Sequence, residues 1–109
     1  MDQLDAAADP LVTVDVATDG VGTTIVTIAG ELDIGNIDAV DTAVAPLLLT
    51  RPERLIVDVG GLRFADSSAI ALWVRWAASV DEFELRNPQP LLRKVIKMMG
   101  LAEKMELDP

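Results

Sequence analysis

The stretch from Leu55 to Trp76 constrains the fold more than any other part of the chain. It opens with an apolar run rich in β-branched residues, Leu55-Ile56-Val57, closed by Asp58. Gly60-Gly61 and a short apolar piece around Leu62 and Phe64 follow. Then come Asp66-Ser67-Ser68 and apolar residues at Ile70, Trp73, Val74 and Ala77. That spacing is what a helix with one buried face requires. Asp and Ser just ahead of it are the residue types that satisfy the free N–H groups of a first helical turn. The stretch predicts a strand over Arg54–Val59, a turn at the glycine pair, and a helix from about Ser67 to Val80. A continuous apolar strand of this kind fits the centre of an α/β sheet, buried on both faces.

The flanking segments supply the rest of such a sheet. Met1 to Pro10 reads as a loose tail, with three Asp, an Ala run and a Pro, so the domain is expected over residues 11–109. Leu11–Ala17 alternates apolar and polar residues, and Thr23–Ala29 is β-branched; both read as strands. The Gly and Asp between them mark a turn, which predicts an antiparallel hairpin. Gly30-Glu31-Leu32-Asp33 reads as a strand-breaking loop. Ile37, Val40, Ala43 or Val44, and Leu47-Leu48 recur at helical spacing, giving a helix over Asn36–Leu49 that starts at Asp33 or Asn36. Pro46 is expected to kink or limit its last turn.

Asp81–Arg86 reads as a short strand. Leu91–Met99 reads as a helix stopped by Gly100, with Leu91, Leu92, Val95 and Met99 buried and the basic residues Arg93, Lys94 and Lys97 outward. Leu101–Leu107 suggests a last short strand. Trp73 falls on the apolar stripe of the second helix. Trp76 lies at its border, where it reads first as a core residue and, if partly exposed, as an anchor for a partner.

Composition removes whole classes of chemistry. The chain of 109 residues contains neither cysteine nor histidine. Disulfides, thiol catalysis, Ser-His-Asp triads and Cys or His metal sites are therefore excluded. The absence of cysteine suits a reducing cytoplasm. The formal net charge of −9 opposes direct contact with nucleic acid or an anionic membrane and favours a protein partner with a basic patch. No apolar run approaches the ~20 residues needed to span a bilayer, and the acidic N-terminus does not read as a signal peptide. No G-x-x-x-x-G-K-[ST] precedes the strand ending in Asp58, which rules out a P-loop. The glycine pair does not form a dinucleotide fingerprint. No metal or cofactor is implied.

The chemistry sits where the second helix begins. A serine there lies beside unpaired N–H groups and the positive end of the helix dipole, a place suited to a phosphate. On residue type alone, Ser67 and Ser68 are each a cap, a phosphorylation site, or both.

Gly30-Glu31-Leu32-Asp33, Leu55-Ile56-Val57-Asp58, Phe64-Ala65-Asp66-Ser67-Ser68 and Met99-Gly100-Leu101, in that order, resemble the STAS family. They are most similar to the bacterial anti-sigma factor antagonists. The resemblance covers roughly Val12 to Leu107. It implies a single α/β domain with a mixed four- to five-stranded sheet and helices mainly on one face. It also implies a binding module and no enzyme. The acceptor serine would be Ser67, with Ser68 the less favoured choice. The switch site would comprise Glu31, Asp33, Asp66, Ser67, Ser68 and Ala69. Glu31 and Asp33 would shape the site or the kinase's magnesium environment; on the residues alone they read equally well as exposed loop acids.

The function implied is an anti-sigma factor antagonist. It binds an anti-sigma factor serine kinase when unphosphorylated, frees a sigma factor, is switched off by phosphate on Ser67, and is reset by a serine phosphatase. Two features depart from the family pattern. Ala69 stands where Gly is usual, placing a methyl where a partner is expected to approach, and the segment before Phe83 is short. These favour the alternative, a constitutive STAS module that binds a protein or small ligand without phosphorylation.

Overall fold

The computed structural model describes residues 11–108; the predicted tail over residues 1–10 lies outside them. β1 (Val12–Thr18) and β2 (Thr23–Leu32) form the expected antiparallel hairpin, paired from Val12↔Gly30 to Thr18↔Thr24. Asp19 organises its turn, with Oδ1 accepting from the N–H groups of Val21 at 2.8 Å and Thr23 at 3.0 Å. Those bonds hold its carboxyl below the usual carboxylate pKa.

Three crossovers follow. One runs through α1 (Ile37–Leu48) to β3 (Arg54–Ala65), the next through α2 (Ser67–Ala78) to β4 (Glu82–Arg86), and the last through α3 (Pro90–Met98) to β5 (Leu107–Asp108). β2 to β5 run parallel, and the sheet order is β1-β2-β3-β4-β5. Crossovers between parallel strands are right-handed. Repeated in one direction across a sheet, they leave every helix on the same face. Burial identifies that face. Val26, Ile28, Leu55, Val57, Val59 and Leu85 share one apolar cluster with Val40, Val44, Ile70, Trp73 and Ile96, and Ile56 lies outside it. The architecture is the predicted mixed α/β sheet with helices on one side. Leu55, Ile56 and Val57 are all buried, as expected of a central strand.

The strands are longer than their sequences suggest. β2 continues through Gly30-Glu31-Leu32, read above as a loop, and β3 continues over Gly60-Gly61 to Ala65, where a turn was expected. Glycine occupies these strand positions because of lateral crowding. A Cβ on Gly61 would lie 2.9 Å from the Ala29 Cβ, and one on Gly30 would lie 2.1 Å from the Leu11 carbonyl oxygen. Gly30 also has φ +102°, a conformation that costs other residues about 1–3 kcal/mol. Gly30→Ala is accordingly expected to destabilise the fold by about 2 kcal/mol or more. Urea unfolding measures this, and an unchanged midpoint would show that β1 yields at Leu11 without cost.

α1 ends two residues after Pro46, which thus limits the helix as expected. Asn36 occupies its start without capping it. The Asn36 side chain instead accepts from Asp33 N at 3.0 Å and donates to the Glu31 carbonyl at 2.9 Å, bracing the loop between β2 and α1.

The two readings of Trp76 are decided in favour of core packing, and one expectation about α3 is overturned. Trp76 is buried, and its indole N–H donates to Asp41 Oδ1 at 2.9 Å. α1 packs beside α2 and covers it, so Trp76 offers no exposed anchor. In α3 the fully buried residue is Ile96, with Leu92 partly covered; Leu91, Val95 and Met99 are exposed.

Candidate functional site: the junction of β3 and α2

The site is assembled where two parallel strands end side by side. β2 and β3 stay paired to Leu32↔Ala65, and Asp66 N donates to the Leu32 carbonyl at 3.3 Å. The β2–α1 loop and the start of α2 therefore leave the sheet together. Asp66 caps α2 from an extended conformation, its Oδ1 accepting from Ser68 N at 3.0 Å. The Ser68 hydroxyl donates to the same oxygen. Oδ2 accepts from Ile34 N at 3.2 Å, across to the other loop. One carboxylate thus ties both segments.

The two serines are separated by this arrangement. Ser68 is half-buried with its hydroxyl committed to Asp66. Ser67 is exposed, is the first residue of α2, and its hydroxyl has no hydrogen-bond partner among the described residues. Sequence reasoning left the two equivalent as chemistry; the geometry ties the Ser68 hydroxyl to the Asp66 cap and leaves the Ser67 hydroxyl exposed.

Asp33 serves its own loop, and Glu31 at the end of β2 pairs across to β3. Asp33 Oδ1 accepts from Gly35 N at 2.8 Å. Glu31 lies 3.6 Å from Arg63 in a surface ion pair. The structure brings the Asp33 loop to Asp66 through Ile34, and neither acid bonds Ser67 or Ser68. Ala69 is fully buried, so the expectation that its methyl meets an approaching partner is corrected: it packs into the core. Sequence reasoning also passed over Ile34 and Phe64, which flank the site with 78% and 51% of their surface exposed. Large apolar residues left exposed beside a polar site were the missed signal.

The hydrogen bond from the Ser68 hydroxyl, followed by those from Ile34, Ser68 and Ala69, holds the Asp66 carboxyl below its ordinary value of 3.8, against a partial burial that pushes it up. A carboxyl depressed on folding stabilises the fold above its unfolded pKa, and the contribution is lost as pH falls through the folded pKa. Asp66→Asn keeps a capping oxygen and removes the charge. Its stability deficit against wild type is therefore expected to be full at neutral pH and to vanish as pH falls below 3.8. Urea midpoints across that range check this; a deficit independent of pH would show that ionisation of Asp66 is not linked to folding.

An antiparallel strand opening a parallel sheet, with a serine-bearing helix start at the end of its central strand, defines a STAS-type domain. A family model described as "Mlab, STAS domain" matches residues 14–107, and the chain belongs to that family. No curated protein matches it. Among solved structures, it is similar to an anti-sigma factor antagonist from Mycobacterium paratuberculosis (TM-score 0.83, 22% identity, 94% of this chain and 89% of that one). It is also similar to the unphosphorylated anti-sigma factor antagonist SpoIIAA (TM-score 0.75, 22% identity, covering 89% and 88%). The phosphorylated form of SpoIIAA, described as a Bacillus cell fate determinant, superposes with a TM-score of 0.71 at 22% identity, covering 89% and 91%.

Proposed function

We propose that the chain is an anti-sigma factor antagonist switched at Ser67. Unphosphorylated, it binds an anti-sigma factor serine kinase in the cytoplasm and thereby frees a sigma factor. Phosphate on Ser67 ends that binding, and a serine phosphatase restores it. The observation that carries this reading is the exposed, unpartnered Ser67 hydroxyl at the first position of α2, next to a Ser68 whose hydroxyl is already held. The similar fold of an antagonist described in both unphosphorylated and phosphorylated forms supports it. Glu31 and Asp33 shape the loop that Ile34 fastens to Asp66, and so act on the switch through that loop.

Mapping phosphate by mass spectrometry on protein from its native cells tests the reading. The expected result is a phosphate on Ser67, absent from Ser68 and abolished by Ser67→Ala. An unmodified Ser67 under all growth conditions would favour the second reading, a constitutive binding module. The observation on that side is an apolar cavity of about 330 Å³ beside Ser67, large enough for a small ligand.

A further inference from the structure

α3 carries a surface that the switch does not use. Leu91 is 72% exposed and Met98 77%, with Val95 and Met99 also open to solvent. With Phe64 at the end of β3, Leu91, Val95 and Met99 line the apolar cavity that reaches Ser67. The sheet leaves room there because β4 pairs with β3 only as far as Asp58, so Val59–Ala65 has no strand beside it on that side. Two side chains reach across among the described residues, Asn87 donating to Asp58 Oδ1 at 3.3 Å beside Gly60 and Gln89 donating to the Leu62 carbonyl at 3.3 Å. Contiguous exposed apolar surface of this kind marks a place where something binds.

Charge selects the occupant. The chain has 18 acidic residues against nine basic ones, yet α3 contains Arg93, Lys94 and Lys97 and no acid. Lys94 and Lys97 form no ion pair with a described residue. A basic ridge beside an apolar groove, on a body that is otherwise strongly acidic, complements an acidic segment carrying apolar side chains. An anionic membrane would spread its charge against the whole −9 body, whereas a single acidic segment can lie along the basic ridge of α3 alone, which makes a protein the better fit.

We propose that the groove between Phe64 and α3 docks an acidic, apolar-anchored segment of the partner protein alongside Ser67. Its apolar side chains fill the space between Phe64, Leu91, Val95 and Met99, and its carboxylates lie over Lys94 and Lys97. This rests on the reading that a partner engages the Ser67 face. It adds that recognition has a second foothold, independent of the serine.

Methionine-methyl NMR on the full chain tests it. Met98 and Met99 report from the surface of α3, and the buried Met105 serves as internal control. The probe is a synthetic helical peptide with Leu along one face and Glu beside it; the counter-probe has Lys in place of Glu. The acidic peptide is expected to shift Met98 and Met99 and leave Met105 unmoved, and the basic peptide to shift neither. Lys94→Glu with Lys97→Glu should weaken binding at least about tenfold through like-charge repulsion. Val95→Asp, a change at an exposed position, should weaken it as well.

Equal binding of both peptides, or no effect of either variant, would overturn the proposal. Four other results would also overturn it by identifying another occupant or none. Shifts on concentrating the protein alone would point to a second copy. Shifts without peptide on changing Asp2, Asp5 and Asp9 to Asn would point to the chain's own N-terminal segment. Shifts with phosphatidylglycerol vesicles but not with peptide would point to a membrane, and no shifts at all would leave the groove empty. Ser67→Ala should bind the peptide like wild type. If it does and Ser67 is never phosphorylated, the switch falls and the groove stands; if Ser67 is phosphorylated and no peptide binds, only the groove falls.

Discussion

Ser67→Glu is expected to lower affinity for the cognate anti-sigma factor at least about tenfold, and Ser67→Ala to leave it within about twofold. The asymmetry follows from what surrounds the hydroxyl. Asp66 is held ionised by its hydrogen bonds, so a new negative charge at Ser67 meets a fixed one next to it. A phosphate adds about −1.5 to −2 charges at pH 7, and a partner docking there must also strip its water. The Ser67 hydroxyl itself bonds nothing described, so removing it leaves no buried group unsatisfied. Titration of the purified kinase with each variant by calorimetry measures both effects. Equal affinities for Ser67→Glu and Ser67→Ala would sink the switch, whatever partner is found. Ser68→Ala is the internal comparison. It loses a bond to Asp66, so it acts on the helix cap and on stability.

The second large effect lies in the core. Trp73→Ala is expected to cost about 3–5 kcal/mol, a large part of the about 5–15 kcal/mol that holds a domain of this size folded. Trp73 and Trp76 are both buried in α2 but differ in one respect. The Trp76 N–H donates to Asp41, whereas the Trp73 N–H is buried with no partner among the described residues. Replacement by Phe should separate them. Trp76→Phe loses a hydrogen bond to Asp41, whose carboxylate stays part-exposed beside Arg75, and Trp73→Phe relieves an unsatisfied donor. The former should cost about 1 kcal/mol more than the latter in urea unfolding. The reverse order would mean that the volume lost at Trp73 outweighs the hydrogen bond.

Some of this was legible in the sequence because its causes are local. The β1–β2 hairpin follows from alternation and from a turn that Asp19 closes by itself. The start of α2 follows from Asp66, which caps the residues next to it. The failures share a different origin. Gly60-Gly61 looks like a turn along the chain, and only the closeness of Ala29 on the neighbouring strand shows why glycine sits within β3. Leu91, Val95 and Met99 form one helical stripe in α3, and Leu92 with Ile96 form another. Spacing cannot rank them; the core took the second. The difference between Ser67 and Ser68 depends on where a side chain turns after Asp66 is placed. The covered position of Trp76 depends on α1, which comes from another part of the chain.

The bond from Ile34 to Asp66 spans 32 residues of sequence, and the carboxylate it reaches is also the cap of α2. The surface around Ser67 therefore takes shape only after β2 and β3 have paired in parallel, a slow, non-local step. Under the proposed switch, an enzyme that recognises this surface would read the completion of folding along with the identity of the serine. Nascent or unfolded copies of the chain would escape modification, and a short peptide around Ser67 would be a poor substitute for the domain.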